Sequence, residues 1–216
     1  SAVANTKGIA RWSKANQVWE AVGNPEAGTA DIGYVSNMLF DANGDLYVGG
    51  VFTNFGGVAA ADYFAKYTVS TNTWSAVGSG INAEVMAIGI SPNGIIYIGG
   101  WFTEASGDTD CKHIAYWNGS AWLPLATGLN YQVEALKFNP SGKLLIGGAF
   151  TNADGTNGDY FCMWNGIAFV SFTDYGATEL SNAVYSIDIT PGGTIVIGGN
   201  FTNAGGDPNA DYVAAW

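Results

Sequence analysis

Positive charge is scarce in this sequence. Six Lys and one Arg stand against 18 Asp and Glu in 216 residues, giving a formal net charge of −11. A nucleic-acid binder needs a basic footprint on the phosphates, and none is present. An anionic membrane surface would repel the chain, and no apolar run approaches the roughly twenty residues that cross a bilayer. Neither nucleic acid nor membrane insertion is expected. Histidine occurs once, as His113, so neither a Ser-His-Asp triad nor a multi-His zinc site can be assembled. His113 reads as a surface or cap residue at the start of a strand. The only two cysteines, Cys111 and Cys162, fall at non-equivalent points of the repeat described below. That favours two separately buried thiols over a disulfide with its strict geometry. No glycine loop is followed by Lys-Ser or Lys-Thr, so no phosphate cradle exists. No segment has a 3.6-residue apolar period, and helix should be nearly absent. No signal-peptide pattern is visible, and a start at Ser1 rather than Met reads as processed or trimmed.

Aromatic residues and glycine are plentiful instead. Hydrophobic residues make up 48% and aromatics 14%, and there are 31 glycines. Many glycines with many aromatic and β-branched residues suggest short strands joined by tight turns. One phrase recurs four times: Tyr47-Val-Gly-Gly-Val-Phe-Thr53, Tyr97-Ile-Gly-Gly-Trp-Phe-Thr103, Leu145-Ile-Gly-Gly-Ala-Phe-Thr151 and Val196-Ile-Gly-Gly-Asn-Phe-Thr202. The doublets begin at Gly49, Gly99, Gly147 and Gly198, a period of about fifty residues. Each is preceded by a stretch from Val to Gly without gaps: Val35 to Gly44, Val85 to Gly94, Val133 to Gly142 and Val184 to Gly193. Each is followed by an aromatic, at Tyr67, Trp117, Trp164 and Trp216. A further one comes at Trp74, Trp122 and Phe169, and the N-terminus supplies the same pair as Trp12 and Trp19.

Each unit therefore reads as four strands, A to D. Strand A alternates, as in Val85–Ile90, with a small residue at Asn37, Ala87, Ala135 or Ser186 on one face, suited to a crowded position near an axis. Asp41-Ala-Asn-Gly44 and Ser91-Pro-Asn-Gly94 are hairpin turns from A to B. The glycine doublet closes strand B, where a missing side chain would let an aromatic ring approach the backbone. Strand C runs to the tryptophan, and Asn118-Gly119 or Asn165-Gly166 turns it into D. Four-stranded repeats of this length around an axis make an all-β fold, a β-propeller of antiparallel blades.

The doublet followed by Tyr67-Thr-Val-Ser-Thr-Asn-Thr-Trp-Ser-Ala-Val77 resembles the kelch repeat, over roughly residues 9 to 216. The Gly-Gly-x-Phe-Thr and Trp-Asn-Gly pattern is similar to propeller repeats of bacterial, fungal and phage surface proteins. The resemblance implies the fold firmly and function weakly, because propellers host many functions.

A single domain over 1–216 is expected. Strands C and D of the closing blade lie at 8–22 and full blades at about 34–78, 84–126 and 132–173. Strands A to C of the last blade occupy 183–216. Seventeen strands result, with C present at both ends. Four blades are expected, the N-terminal D completing the last one so that no edge stays open; a segment of a larger propeller is the alternative.

Antiparallel order puts the BC and DA loops on one face. The BC loops read Asn54 to Asp62, Glu104 to Asp110, Asn152 to Asp159 and Asn203 to Asp211. The aspartate before strand C recurs at Asp62, Asp110, Asp159 and Asp211. One reading is that Asp and Asn cap turns. The other is a ring of ligand-binding groups on that face: Asn54, Asp62, Glu104, Asp108, Asp110, Asn152, Asp154, Asp159, Asn203, Asp207 and Asp211, with Trp101. Trp101 breaks the repeat in the slot held by Val51, Ala149 and Asn200, and is a candidate stacking platform, with a buried ring as the rival reading. No cofactor is expected, although oxygen ligands at Asp154, Asn157 and Asp159 make that loop the best calcium candidate. Asn118-Gly-Ser120 and Asn200-Phe-Thr202 match the glycosylation pattern by coincidence with turn and strand signatures.

The expected function is a non-enzymatic recognition module of a secreted, cell-surface or virion-surface protein, binding glycan or protein through the BC/DA face. The first alternative is an assembly component of a surface layer, fibre or virion, joined into oligomers or longer arrays through its terminal strands. A glycan-active enzyme is the second alternative. It would need a carboxylate pair that occurs once, whereas the acids fall mostly at repeated positions.

Overall fold

The computed structural model describes residues 7–28, 30–153, 158–172 and 180–216. Seventeen strands run through them, with helix confined to single 3-10 turns such as Phe55–Gly57 and Ala204–Gly206. The fold is all-β and built of propeller blades. Blade one comprises β3 (Asp31–Phe40), β4 (Leu46–Thr53), β5 (Phe64–Thr68) and β6 (Thr73–Ala76). Blade two comprises β7 (Val85–Ile90), β8 (Ile96–Gly100), β9 (Ile114–Trp117) and β10 (Trp122–Pro124). Blade three comprises β11 (Val133–Phe138), β12 (Leu144–Gly148), β13 (Phe161–Trp164) and β14 (Phe169–Ser171). The fourth has β15 (Val184–Ile189), β16 (Ile195–Gly199) and β17 (Val213–Ala215). Each is an antiparallel sheet in sequence order, and the A strands β3, β7, β11 and β15 follow one another side by side.

The core lies between blades, not within them. One cluster joins Tyr47 and Phe64 of blade one to Val85, Ile98 and Trp122 of blade two. The next joins Ile114 and Leu125 to Val133, Ile146 and Phe150, and the last joins Leu145, Phe161 and Phe172 to Val184, Ile197 and Phe201. Each phenylalanine of the Gly-Gly-x-Phe-Thr phrase (Phe52, Phe102, Phe150, Phe201) is fully buried, a contribution of about 1.5–3 kcal/mol apiece.

The glycine doublet has a different reason from the aromatic approach expected of it. A Cβ on the first glycine would strike a valine of the following blade, 2.7 Å from Val85 Cγ1 for Gly49 and 2.7 Å from Val184 Cγ1 for Gly147. A Cβ on the second would strike the blade's own strand A, at the carbonyls of Tyr34, Glu84, Gln132 and Ala183 for Gly50, Gly100, Gly148 and Gly199. Those carbonyls crowd in because every A strand carries a bulge. The register slips between Val35 and Asn37, Val85 and Ala87, Val133 and Ala135, and Val184 and Ser186. Ser36, Met86, Glu134 and Tyr185 are the extra residues, and bulges re-aim the side chains they carry.

The N-terminal strands β1 (Ala10–Ser13) and β2 (Val18–Ala21) form their own two-stranded sheet, and β17 remains an edge. Among the described residues, the expected pairing of this hairpin with the last blade is not formed. The hairpin is instead held to blade one by a repeated hydrogen bond. Trp122 Nε1 donates to Val77 O at 2.9 Å, tying blade two to the end of blade one. Trp74 Nε1 donates to Val22 O at 3.0 Å in the same way, so the hairpin takes the place of a preceding blade's strands C and D. Ile9 and Val22 are accordingly buried against Ile32, Phe52 and Trp74 of blade one.

Candidate functional site

Strand C of every blade is entered through a residue in the left-handed region: Tyr63, His113, Tyr160 and Tyr212, at φ 60°, 62°, 61° and 63°. Each donates its N–H to the buried phenylalanine's carbonyl and accepts from the second glycine of the doublet; His113 does so at 2.8 Å to Phe102 O and 3.0 Å from Gly100 N. His113 thus occupies a slot that is tyrosine elsewhere. Its Nδ1 lies 3.2 Å from Gly100 O, and burial pulls its pKa down, only partly opposed by that contact. This is a scaffold position. The aromatic series Tyr63, His113, Tyr160 and Tyr212 was visible in the sequence as a fixed step before strand C.

Two of the aspartates that end the BC loops, Asp62 and Asp211, serve the turns. Asp62 Oδ1 accepts Asn54 N at 2.7 Å, and Asp211 Oδ1 accepts Asn203 N at 2.9 Å. Asp108 Oδ1 accepts Asp110 N, and Asp207 Oδ1 accepts Asn209 N, both at 2.9 Å. In blade two the amide of Glu104 goes to Asn82 Oδ1 instead, at 3.1 Å. Asn152 and Asp159 are also engaged. Asp154 and Asn157 of the calcium candidate lie outside the described residues. Among the loop acids, Asp62, Asp108, Asp207 and Asp211 thus act as caps of their own loops.

The DA loops add a second set of caps that the sequence reading missed. Asn82 Oδ1 accepts Thr103 N at 3.0 Å, Asn130 Oδ1 accepts Thr151 N at 2.9 Å, and Ser181 Oγ accepts Thr202 N at 2.9 Å. The threonine that closes the Gly-Gly-x-Phe-Thr phrase of blades two, three and four is thus pinned from a position twenty-one residues earlier. Asn118 Oδ1 likewise serves its own turn, accepting Ser120 N and Ala121 N at 2.9 Å.

Trp101 behaves otherwise. It is 41% exposed and meets the 46% exposed Tyr131 edge to face, centroids 5.3 Å apart. Trp101 follows the doublet of blade two, and Tyr131 ends the DA loop into blade three, so the pair bridges two blades on the BC/DA face. Beside it run the residues that precede and form the A-strand bulges. Glu84, whose carbonyl accepts Trp101 N at 2.9 Å, receives Tyr34 Oη at 3.1 Å and Ser36 Oγ at 2.6 Å on its carboxylate. Gln132 Nε2 lies 3.4 Å from Glu134 Oε1. An open recess of about 220 Å³ lined by Val35, Ser36, Asn37 and Met38 adjoins Glu84 through Ser36. Burial pushes the Glu134 carboxyl above its usual range; Gln132 opposes this and the Glu84 charge adds to it. Tyr34 is raised by burial first and then by Glu84. Of this group the sequence singled out only Trp101. The available signal was the same one: the residue before the fixed valine changes from blade to blade, as Tyr34, Glu84, Gln132 and Ala183.

Both cysteines are buried and free. Burial pushes the Cys111 thiol up to about 12, with Asp108 and Asp110 adding, and raises Cys162 as well.

The repeat, the blades and the inter-blade cores define a β-propeller protein. A profile for a β-propeller domain of unknown function, DUF5122, matches residues 139–162. The chain is similar in structure to the extracellular domain of a protein described as a hybrid two component system, BT4673 of B. thetaiotaomicron. The TM-score is 0.60 at 10% identity, over 96% of this chain and 24% of that one. The extracellular domain of a second such system, BT3049 of the same organism, gives 0.60 at 13% identity, over 93% and 24%. A chain of the mitotic checkpoint complex gives 0.58 at 16% identity, over 94% and 60%. The chain thus spans about a quarter of the length of the bacterial structures it matches. No curated protein sequence matches it. Among the described residues no helix is long and apolar enough to cross a membrane.

Proposed function

We propose that the chain is a non-enzymatic recognition module of an extracellular or surface protein, its repeats of kelch type, binding a glycan or protein through the BC/DA face. The observation that carries this reading is the exposed Trp101–Tyr131 pair bridging two blades. Large aromatics left on a rim in an otherwise repeating scaffold supply rigid contact area at small entropic cost. The loop aspartates Asp62, Asp108, Asp207 and Asp211 are engaged as turn caps, and no cofactor is part of the reading. The similarity to extracellular domains in B. thetaiotaomicron and to a chain of the mitotic checkpoint complex is consistent with display outside the cell and with protein ligands. Glycan arrays and pull-downs with folded protein test it. Binding that weakens in Trp101→Ala supports the proposal, and blank results in both assays sink it.

Assembly is the second reading, favoured by one observation. Apolar side chains are exposed at both ends of the blade series: Trp12, Trp19, Met38 and Phe40 at one, Val213 and Trp216 at the other. Together with the unpaired edge of β17, they would suit contact with further blades. Concentration-dependent sedimentation supports this reading, and a monomer at all concentrations removes it.

A further inference from the structure

The inner rim beside Trp101 and Tyr131 carries negative charge that no ion pair among the described residues balances. Glu84 is half-buried and receives only neutral donors, the hydroxyls of Tyr34 and Ser36. Glu134 is half-buried on the bulge of β11 and is met by the Gln132 amide. The ion pairs among the described residues are Arg11–Glu20, Lys66–Asp45 and Lys137–Asp188, so no lysine or arginine reaches either glutamate. Geometry links the two: Glu84 O accepts Trp101 N at 2.9 Å, the Trp101 ring meets Tyr131, and Tyr131 adjoins Gln132, whose amide meets Glu134.

Gln132 supplies an independent observation. It is only 8% exposed, its Nε2 is turned to Glu134, and its Oε1 has no donor. That oxygen is the buried side-chain polar atom left without a partner among the described residues. A buried acceptor without a donor is a group the fold leaves to be satisfied from outside. The three features select one chemistry. Two uncompensated carboxylates repel anions, a neutral sugar would leave them uncompensated, and an orphan carbonyl asks for a donor. Exposed aromatic faces alongside add attraction for a positive charge.

We infer that this rim binds an organic cation bearing N–H donors, an ammonium or guanidinium group held between Glu84 and Glu134 with Gln132 Oε1 as further acceptor and its apolar stem toward Trp101 and Tyr131. The inference rests on the recognition reading and deepens it. The cation belongs either to a lysine or arginine side chain of a partner protein or to a small amine such as an amino sugar.

Calorimetric titration of the whole chain tests this with paired probes. A glycine-flanked arginine or lysine peptide is compared with its citrulline or N-acetyl-lysine counterpart, and glucosamine with N-acetylglucosamine. The charged member of at least one pair binds, roughly tenfold or more tighter than the neutral one, and the pair that responds names the source. Glu134→Gln and Gln132→Leu each weaken that binding, whereas Glu20→Gln on the distant N-terminal hairpin does not. Thermal unfolding of each variant separates lost binding from lost fold. Equal binding of charged and neutral members, or undiminished binding in folded Glu134→Gln, overturns the inference. A glycan-array or pull-down ligand found alongside blank cationic probes overturns it while leaving the recognition reading standing, and blanks throughout overturn both.

Discussion

Gly49 of strand β4 lies beneath Val85 of the next blade, so closely that a Cβ would stand 2.7 Å from Val85 Cγ1. The contact repeats at Gly99 and Val133 and at Gly147 and Val184. It is a close approach that recurs at three successive blade junctions, where only a glycine leaves room for the neighbouring valine.

Gly49→Ala should therefore destabilise the protein by about 1–3 kcal/mol in urea unfolding, the usual cost of overpacking. Gly198→Ala should cost less, because its nearest neighbour is the hydroxyl of Ser186 in the same blade. Adding Val85→Ala to Gly49→Ala should return part of the loss. A double-mutant cycle with no coupling would refute the stacking account.

Trp122→Phe keeps the ring but removes the donor to Val77 O, stranding a carbonyl beside a buried indole site. A loss of about 1–2 kcal/mol is expected, with the fold intact. Trp74→Phe should also loosen the N-terminal hairpin, since Trp74 Nε1 holds Val22 O. Amide exchange should then accelerate at β1 and β2 and not at β15 to β17. Equal exchange throughout would show that the hairpin is held by something else.

These relationships show how far the sequence could be read. The four phrases around Gly49, Gly99, Gly147 and Gly198 gave the strands and their order directly, because periodic glycine and aromatic positions report backbone geometry. The reason for the glycines was not legible. It lies in contacts between residues some thirty-five positions apart and in a bulge that no local pattern announces. The hairpin's separation from the last blade was not legible either: strand counting is satisfied by ring closure, whereas among the described residues β1 and β2 pair only with each other. At the site, Trp101 stood out because it breaks a repeat. Glu84, Gln132 and Glu134 were not legible, because the capping role of loop acids is local in sequence whereas the strand A bulges beside these three are not.

His113→Tyr should leave stability at neutral pH nearly unchanged, because tyrosine fills the same left-handed slot in the other three blades. The pH dependence should differ. Burial holds the folded pKa of His113 below its unfolded value near 6.5, so the unfolded state takes up the proton first. Stability from this residue is full above that value and is lost as pH falls below it toward the lower folded pKa. The unfolding midpoint of the native protein should fall more steeply between pH 7.5 and 5.5 than that of His113→Tyr. Parallel curves would contradict the assignment.

Neither thiol should react with a thiolate-selective reagent in the folded state at pH 8, since burial holds Cys111 up near 12 and raises Cys162 too. Both should react after unfolding. A fast-reacting thiol in native protein would place at least one cysteine at the surface.

The central claim, that the BC/DA face receives the ligand, is tested most directly by a nitrogen-15 NMR titration with any ligand found. The account predicts that shifts concentrate at the Trp101 indole, Tyr131, Gln132 and Glu134. Shifts concentrated instead at the opposite rim, around the turns at Gly44, Gly94 and Gly119, would contradict it.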